Sequence, residues 1–252
     1  MSNPYHILRD LCQVRDESIA SRKTKTLSKR GEFIFETLES AGLKPYLSRL
    51  EGNFTNINVT LQGKSEDSIA YTSHYDISNI NSDNCNDNSA SCSILISYAI
   101  LLSKQKIDKT VHIIFPDGEE VGGIGGRGLA NEINQGLFGN VKWVLNLELC
   151  GLGDVIFIDD KENELWHDLK NDEIDSVGTP FNDAVTLRMN GITSTCIGLI
   201  PSKELQEAKQ TGYCDHWGLC HSRNDKFERA SEKNMLAFLG FLEGKYKQWS
   251  VK

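Results

Sequence analysis

Short, strand-like apolar runs alternate with helical stretches along this chain, and that alternation leaves few folds open to it. Thr110–Phe115 is a β-branched run, TVHIIF, of the kind a sheet buries on both faces. Asn56–Leu61, Ile69–His74, Lys142–Leu147, Val155–Ile158 and Thr193–Leu199 read as further strands. Leu27–Leu43 carries apolar residues at three- and four-residue spacing up to a stop at Gly42, so it reads as a helix. Ser89–Leu102 reads as a buried helix, Gly128–Gln135, Glu162–Lys170 and Asp183–Met189 as helical, and Ser231–Tyr246 as a packing helix. This order predicts an α/β fold, a three-layer sandwich around a mixed, mostly parallel central sheet. No repeat, linker or low-complexity tract divides it, so residues 1–252 read as one domain.

Composition narrows the function classes. Lys and Arg number 27 against 35 Asp and Glu, a net charge of −8, which argues against nucleic acid as a partner. Apolar residues make up 39% of the chain, enough for a core. The longest apolar stretch, Ile94–Leu102, falls far short of the roughly 20 residues that span a bilayer, so no membrane partner is expected. Arg9, Asp10, Arg15 and Asp16 interrupt the N-terminal stretch, and no signal peptide is visible there. The 7 cysteines include no C-x-x-C pair, which leaves reduced thiols in a cytoplasmic protein as the expectation. Oligomeric state stays open.

The chemistry-bearing side chains fall where strands end, the edge at which an open α/β sheet places its crevice. His74-x-Asp76 follows one strand, and Asp87-Asn88-Ser89 lies just before the buried helix. Glu119-Glu120 follows the strand ending at Phe115, and Glu148 follows the one ending at Leu147. His221 comes late, with Asp225 four residues on. Oxygen and nitrogen donors of this kind suit two divalent metals sharing a carboxylate, and zinc accepts both types. The pair Glu119-Glu120 offers one side chain to ligate and one to move protons. Asp76 is placed to hold the His74 imidazole from behind.

In this order the motifs resemble the co-catalytic zinc aminopeptidases of metallopeptidase family twenty-eight, which also contains the glutaminyl cyclases. The resemblance runs from about His74 to Asp225 and includes FPDGEEVG over 115–122 and Asn182-Asp183 with Gly191-Ile192. It implies the zinc-peptidase, phosphorylase/hydrolase-like version of the sandwich and a peptide substrate. It implies that Asp87 bridges two zinc ions, with His74 and Glu148 on one and Glu120 and His221 on the other. Glu119 becomes the general base, Asp76 and Asp225 orient ligands, and Asp183 lies near the site. Glu148 departs from the Asp usual in the family. Cys85, Cys150 and Cys220 crowd the motif and are expected to fill core.

Competing readings are weaker. Gly123-x-Gly125-x-x-Gly128 matches a dinucleotide-binding fingerprint, but Asp117, Glu119 and Glu120 separate it from its strand and would repel a pyrophosphate. Neither G-x-S-x-G nor H-E-x-x-H occurs. His6, His112, His167 and His216 are read as ordinary hydrogen-bonded histidines. The expected activity is a zinc aminopeptidase. A glutaminyl cyclase with one working zinc is the alternative enzyme, and a catalytically silent scaffold on this fold the alternative outside enzymes.

Overall fold

The computed structural model describes residues 3–16, 27–78, 80–159 and 174–250. Its strands are β1 (Tyr46–Arg49), β2 (Thr55–Leu61), β3 (Ser65–Thr72), β4 (Lys109–Phe115), β5 (Asn140–Leu147), β6 (Val155–Ile158), β7 (Ile174–Ser176) and β8 (Ser194–Ile200). They form an 8-stranded sheet in the order β1-β2-β4-β3-β5-β8-β6-β7. The central strands β4, β3, β5 and β8 are parallel, whereas β2 and β6 run against their neighbours β4 and β8. The sheet is thus mixed with a parallel centre, as the alternation of elements predicts.

Helices cover both faces: α1 (Pro4–Gln13), α2 (Lys29–Ser40), α3 (Ala90–Leu102), α4 (Ile124–Asn134), α5 (Asp183–Met189), α6 (Leu205–Thr211), α7 (Asp215–Leu219) and α8 (Glu232–Ser250). Successive strand residues point to opposite faces. Ile69, Tyr71, Val111, Ile113, Leu145 and Leu147 therefore pack with α1, α2, α3 and α8. Ala70, Ile114 and Val144 pack on the other side against Leu129, Ala130 and Leu187 of α4 and α5. All of α3 except Leu101 is buried, so this helix is apolar all round and anchors the centre of its layer. Each large apolar side chain it buries contributes roughly 1.5–3 kcal/mol, which fixes the start of the helix firmly.

The structure adds α1, β1, β7, α6 and α7 to the elements expected from sequence, and starts α4 at Ile124 rather than Gly128. The helix expected at 162–170 and His167 lie outside the described residues. No helix among the described residues is long and apolar enough to cross a membrane. His112 is an ordinary core histidine, with Nδ1 3.0 Å from Thr60 Oγ1 and Nε2 3.0 Å from the Phe138 carbonyl. Burial lowers its pKa to about 4.

Candidate functional site

Three parallel strands deliver the site at one sheet edge. Beyond β3 the chain runs through His74–Asp76, beyond β4 through Glu119-Glu120, and beyond β5 directly into Glu148. Asp87 stands on a tight turn, Cys85–Ser89, that leads into α3; Asp87 and Asn88 leave helical dihedrals there, and the peptide between them is cis. His221 follows α7, with a left-handed φ of 61°.

These positions, up to 147 residues apart, meet in one cleft. His74 Nε2 lies 3.3 Å from Asp87 Oδ1 and 3.6 Å from Glu148 Oε2. His221 Nε2 lies 3.4 Å from Asp87 Oδ2 and 2.9 Å from Glu120 Oε2. Asp87 thus turns one carboxylate oxygen to each imidazole. Two ligand sets result, His74-Asp87-Glu148 and Asp87-Glu120-His221, and the donor atoms of each lie within 4.8 Å of one another. Glu119 makes a third such group with His74 and Glu120, so it sits beside both sets.

A layer of fixed groups lies behind. Asp76 Oδ1 is 3.4 Å from His74 Nδ1, and its two oxygens accept the Glu119 and Glu120 backbone N–H groups at 3.1 Å each. It therefore does more than steady the imidazole; it fastens the β3 loop to the β4 loop. Asp225 accepts the Asn86 and Asp87 backbone N–H groups at 2.8 and 3.0 Å. Glu148 accepts from Asn146 Nδ2 at 3.0 Å and from Asn88 Nδ2 at 2.5 Å, so both of its oxygens are held by amides. Asp183 is fully buried against Gly126 of α4.

The charge balance of this arrangement is lopsided. Asp76, Asp87, Glu119, Glu120, Glu148 and Asp183 crowd two imidazoles, and among the described residues no Lys or Arg lines the cleft. Burial pushes Glu119 up to about 10 and Asp183 to about 7, reinforced by neighbouring carboxylates. Burial likewise raises Glu120 and Glu148. The hydrogen bond to Glu120 raises His221 to about 9. Burial alone would lower His74, but Glu148, Asp76 and Asp87 together hold it well above the ordinary range. Glu120 Oε1 is buried without a hydrogen-bond partner. Carboxylates, one with an orphaned oxygen, grouped in threes with one imidazole nitrogen each are the donor set a divalent cation satisfies.

The family model for peptidase family M28 matches residues 56–238. The chain belongs to peptidase family M28. No curated sequence matches it significantly. Among solved structures, this M28 chain superposes on the LapA aminopeptidase of Legionella pneumophila with a TM-score of 0.79 at 12% identity, covering 99% of this chain and 72% of that one. The Porphyromonas gingivalis glutaminyl cyclase gives 0.75 at 16%, covering 98% and 97%. BSAP, a zinc aminopeptidase from Bacillus subtilis, gives 0.65 at 18%, covering 77% of this chain and 49% of that one.

All the residues singled out from sequence converge in this M28 cleft or directly behind it. Cys85 and Cys150 are fully buried, as expected of core-filling thiols, whereas Cys220 is part-exposed and lines the cleft. The glycines of the nucleotide-like motif serve packing: a Cβ on Gly126, within the same stretch, would stand 2.5 Å from Asp183 Oδ1. Asn88 was read only as part of the Asp87-Asn88-Ser89 motif, without its hold on Glu148, and Asn146 escaped sequence reasoning, because neutral amides carry no ligand signature. A buried asparagine inside an apolar strand, as Asn146 is within KWVLNL, was the available clue.

Proposed function

We propose that the chain is a zinc-dependent aminopeptidase that hydrolyses the N-terminal peptide bond of small peptides. The observation that carries this reading is the split allegiance of Asp87, one oxygen toward each ligand set, with Glu119 beside both. His74, Asp87 and Glu148 would hold one ion; Asp87, Glu120 and His221 would hold a second. Bound there, zinc supplies a Lewis acid that polarises the scissile carbonyl and acidifies water.

The rest is the work of the chain's own groups. Glu119 takes the proton of the attacking water and delivers it to the leaving amine. Asp76 keeps Glu119 at its station through the backbone N–H it accepts. Among the described residues no Lys or Arg lines the cleft, and its acids suit a protonated amine. Leu149, Phe157, Phe181 and Trp217 give it an apolar flank, and its volume of about 370 Å³ admits one apolar first residue. Seven free cysteines support a reducing, cytoplasmic setting.

A glutaminyl cyclase is the second reading, favoured by near-complete mutual coverage with the cyclase structures. A metal count per chain, combined with a panel of aminoacyl amides and N-terminal glutaminyl peptides, tests both. Two ions with amide hydrolysis are expected. One ion with pyroglutamate formation would establish the cyclase instead, and no turnover of either substrate would leave a silent scaffold.

A further inference from the structure

Arg30 and Lys245 are the buried arginine and lysine side chains among the described residues, and Arg30 is 1% exposed. Its donors go to neutral acceptors: Nε to the Tyr75 carbonyl at 2.9 Å, Nη2 to Ser89 Oγ at 2.8 Å and Nη1 to the Leu11 carbonyl at 3.4 Å. The placement of those acceptors matters. Tyr75 lies between His74 and Asp76, and Ser89 lies two residues beyond Asp87. One guanidinium therefore fastens both segments that carry the His74-Asp87 half of the centre. Ser89 Oγ in turn donates to the Asn84 carbonyl, which carries the fastening across the whole Asp87 turn. The third donor meets the last turn of α1, where a positive charge complements the helix's negative end.

A buried guanidinium with only neutral partners is costly to desolvate, and an apolar side chain of similar volume would fill the space more cheaply. Its value lies in what a rigid, planar fork can order at once. Lysine offers no such fork. α1 and α2 lie outside residues 56–238, so the fork reaches the centre from beyond the matched segment.

We propose that Arg30 is a positioning residue that sets the spacing of His74 and Asp87 for cation binding. This rests on the metal-dependent reading above. The test strips the full-length chain with a chelator and titrates it with Co²⁺, following visible absorption and metal content. Parent, Arg30→Lys and Arg30→Ala are compared, the last with and without millimolar guanidinium. Arg30→Lys is expected to bind cobalt about 10- to 100-fold more weakly, as when a group supporting a ligand is removed. Arg30→Ala is expected to lose more, and guanidinium to recover part of both affinity and spectrum. Parent-like affinity and spectrum in the variants, with only a lower unfolding temperature, would reduce Arg30 to packing and overturn the proposal. Should Arg30→Ala fail to fold, Arg30→Lys decides by the same criteria. A parent that takes up no cobalt at all defeats the metal-dependent reading itself, and this inference with it.

Discussion

Glu119→Gln separates a proton-carrying role for Glu119 from a ligating one. In the metal-free fold, burial and the charges of Asp183, Glu148 and Asp87 push this carboxyl to about 10, against 4.5 for an exposed one. Folding at pH 7 therefore forces a proton onto it. Each pH unit above the ordinary value costs the folded state about 1.4 kcal/mol, roughly 3 kcal/mol at neutrality. Glutamine keeps the shape and removes the titration. The metal-free variant should unfold about 6–12 °C above the metal-free parent at pH 7, since a chain of this size shifts roughly 2–4 °C per kcal/mol. That advantage shrinks as pH falls and is gone below 4.5, where the parent's carboxyl is protonated folded and unfolded alike. With metal supplied, neither Asp87-centred ligand set includes Glu119, so the variant should keep its ions. Its kcat should fall about 10²- to 10⁴-fold, the range for a lost general base, with KM little changed. Elemental analysis, steady-state hydrolysis of an aminoacyl anilide and unfolding scans with and without chelator read these out. Activity within tenfold of the parent would refute the base. Loss of metal would show instead that Glu119 ligates through its cluster with His74 and Glu120.

Three further expectations follow from the same geometry. His74 and His221 both hold protons in the metal-free fold, His221 up to about 9, that must leave before their nitrogens can ligate; metal affinity should climb at least tenfold per pH unit from 7 to 9, and a flat calorimetric profile would remove both imidazoles from the centre. Asp225→Asn leaves one acceptor for the two N–H groups of Asn86 and Asp87. It should cost about 1–3 kcal/mol in denaturant unfolding and weaken metal binding roughly 10- to 100-fold; unchanged metal affinity would show that the Asp87 turn holds itself. Trp217 packs edge-on to Phe157 at 5.4 Å on the apolar flank. Trp217→Leu should raise KM for apolar first residues several-fold at nearly constant kcat, and a fall in kcat alone would place the indole at the reacting atoms instead.

The central strands were legible because β-branched runs such as Thr110–Phe115 have no comfortable home except a covered sheet. His74, Glu120 and Glu148 were legible because each follows a strand end, whereas Asp87, on the turn into α3, and His221, after α7, were legible only through the order of motifs. What escaped did so for physical reasons. β1 is largely exposed, with no alternation to read, and β7 spans only Ile174–Ser176. α1 hides its apolar stripe, Leu8, Leu11 and Cys12, among Arg9 and Asp10, yet Asn3 caps it and Pro4 starts it as those residues should. α4 began early because Gly125 and Gly126 resemble a loop, whereas their bareness lets the helix close on Asp117 and Asp183. Arg30 and Asn88 act through partners remote in sequence, a property no local pattern displays, and Asn146 holds Glu148, two residues on, as a neutral amide with no ligand signature.

Asp76 ties two pieces of machinery with one carboxylate: the imidazole of His74 on one side and the Glu119-Glu120 backbone on the other. A shift in either is inherited by its counterpart, so ligation and proton handling form a single gear that resists piecemeal adjustment. Among the described lining residues, Thr179–Phe181 and Trp217 are neither proposed ligands nor hydrogen-bond partners of one. An engineer seeking a different taste in substrates should carve there, where remodelling leaves the drive train untouched.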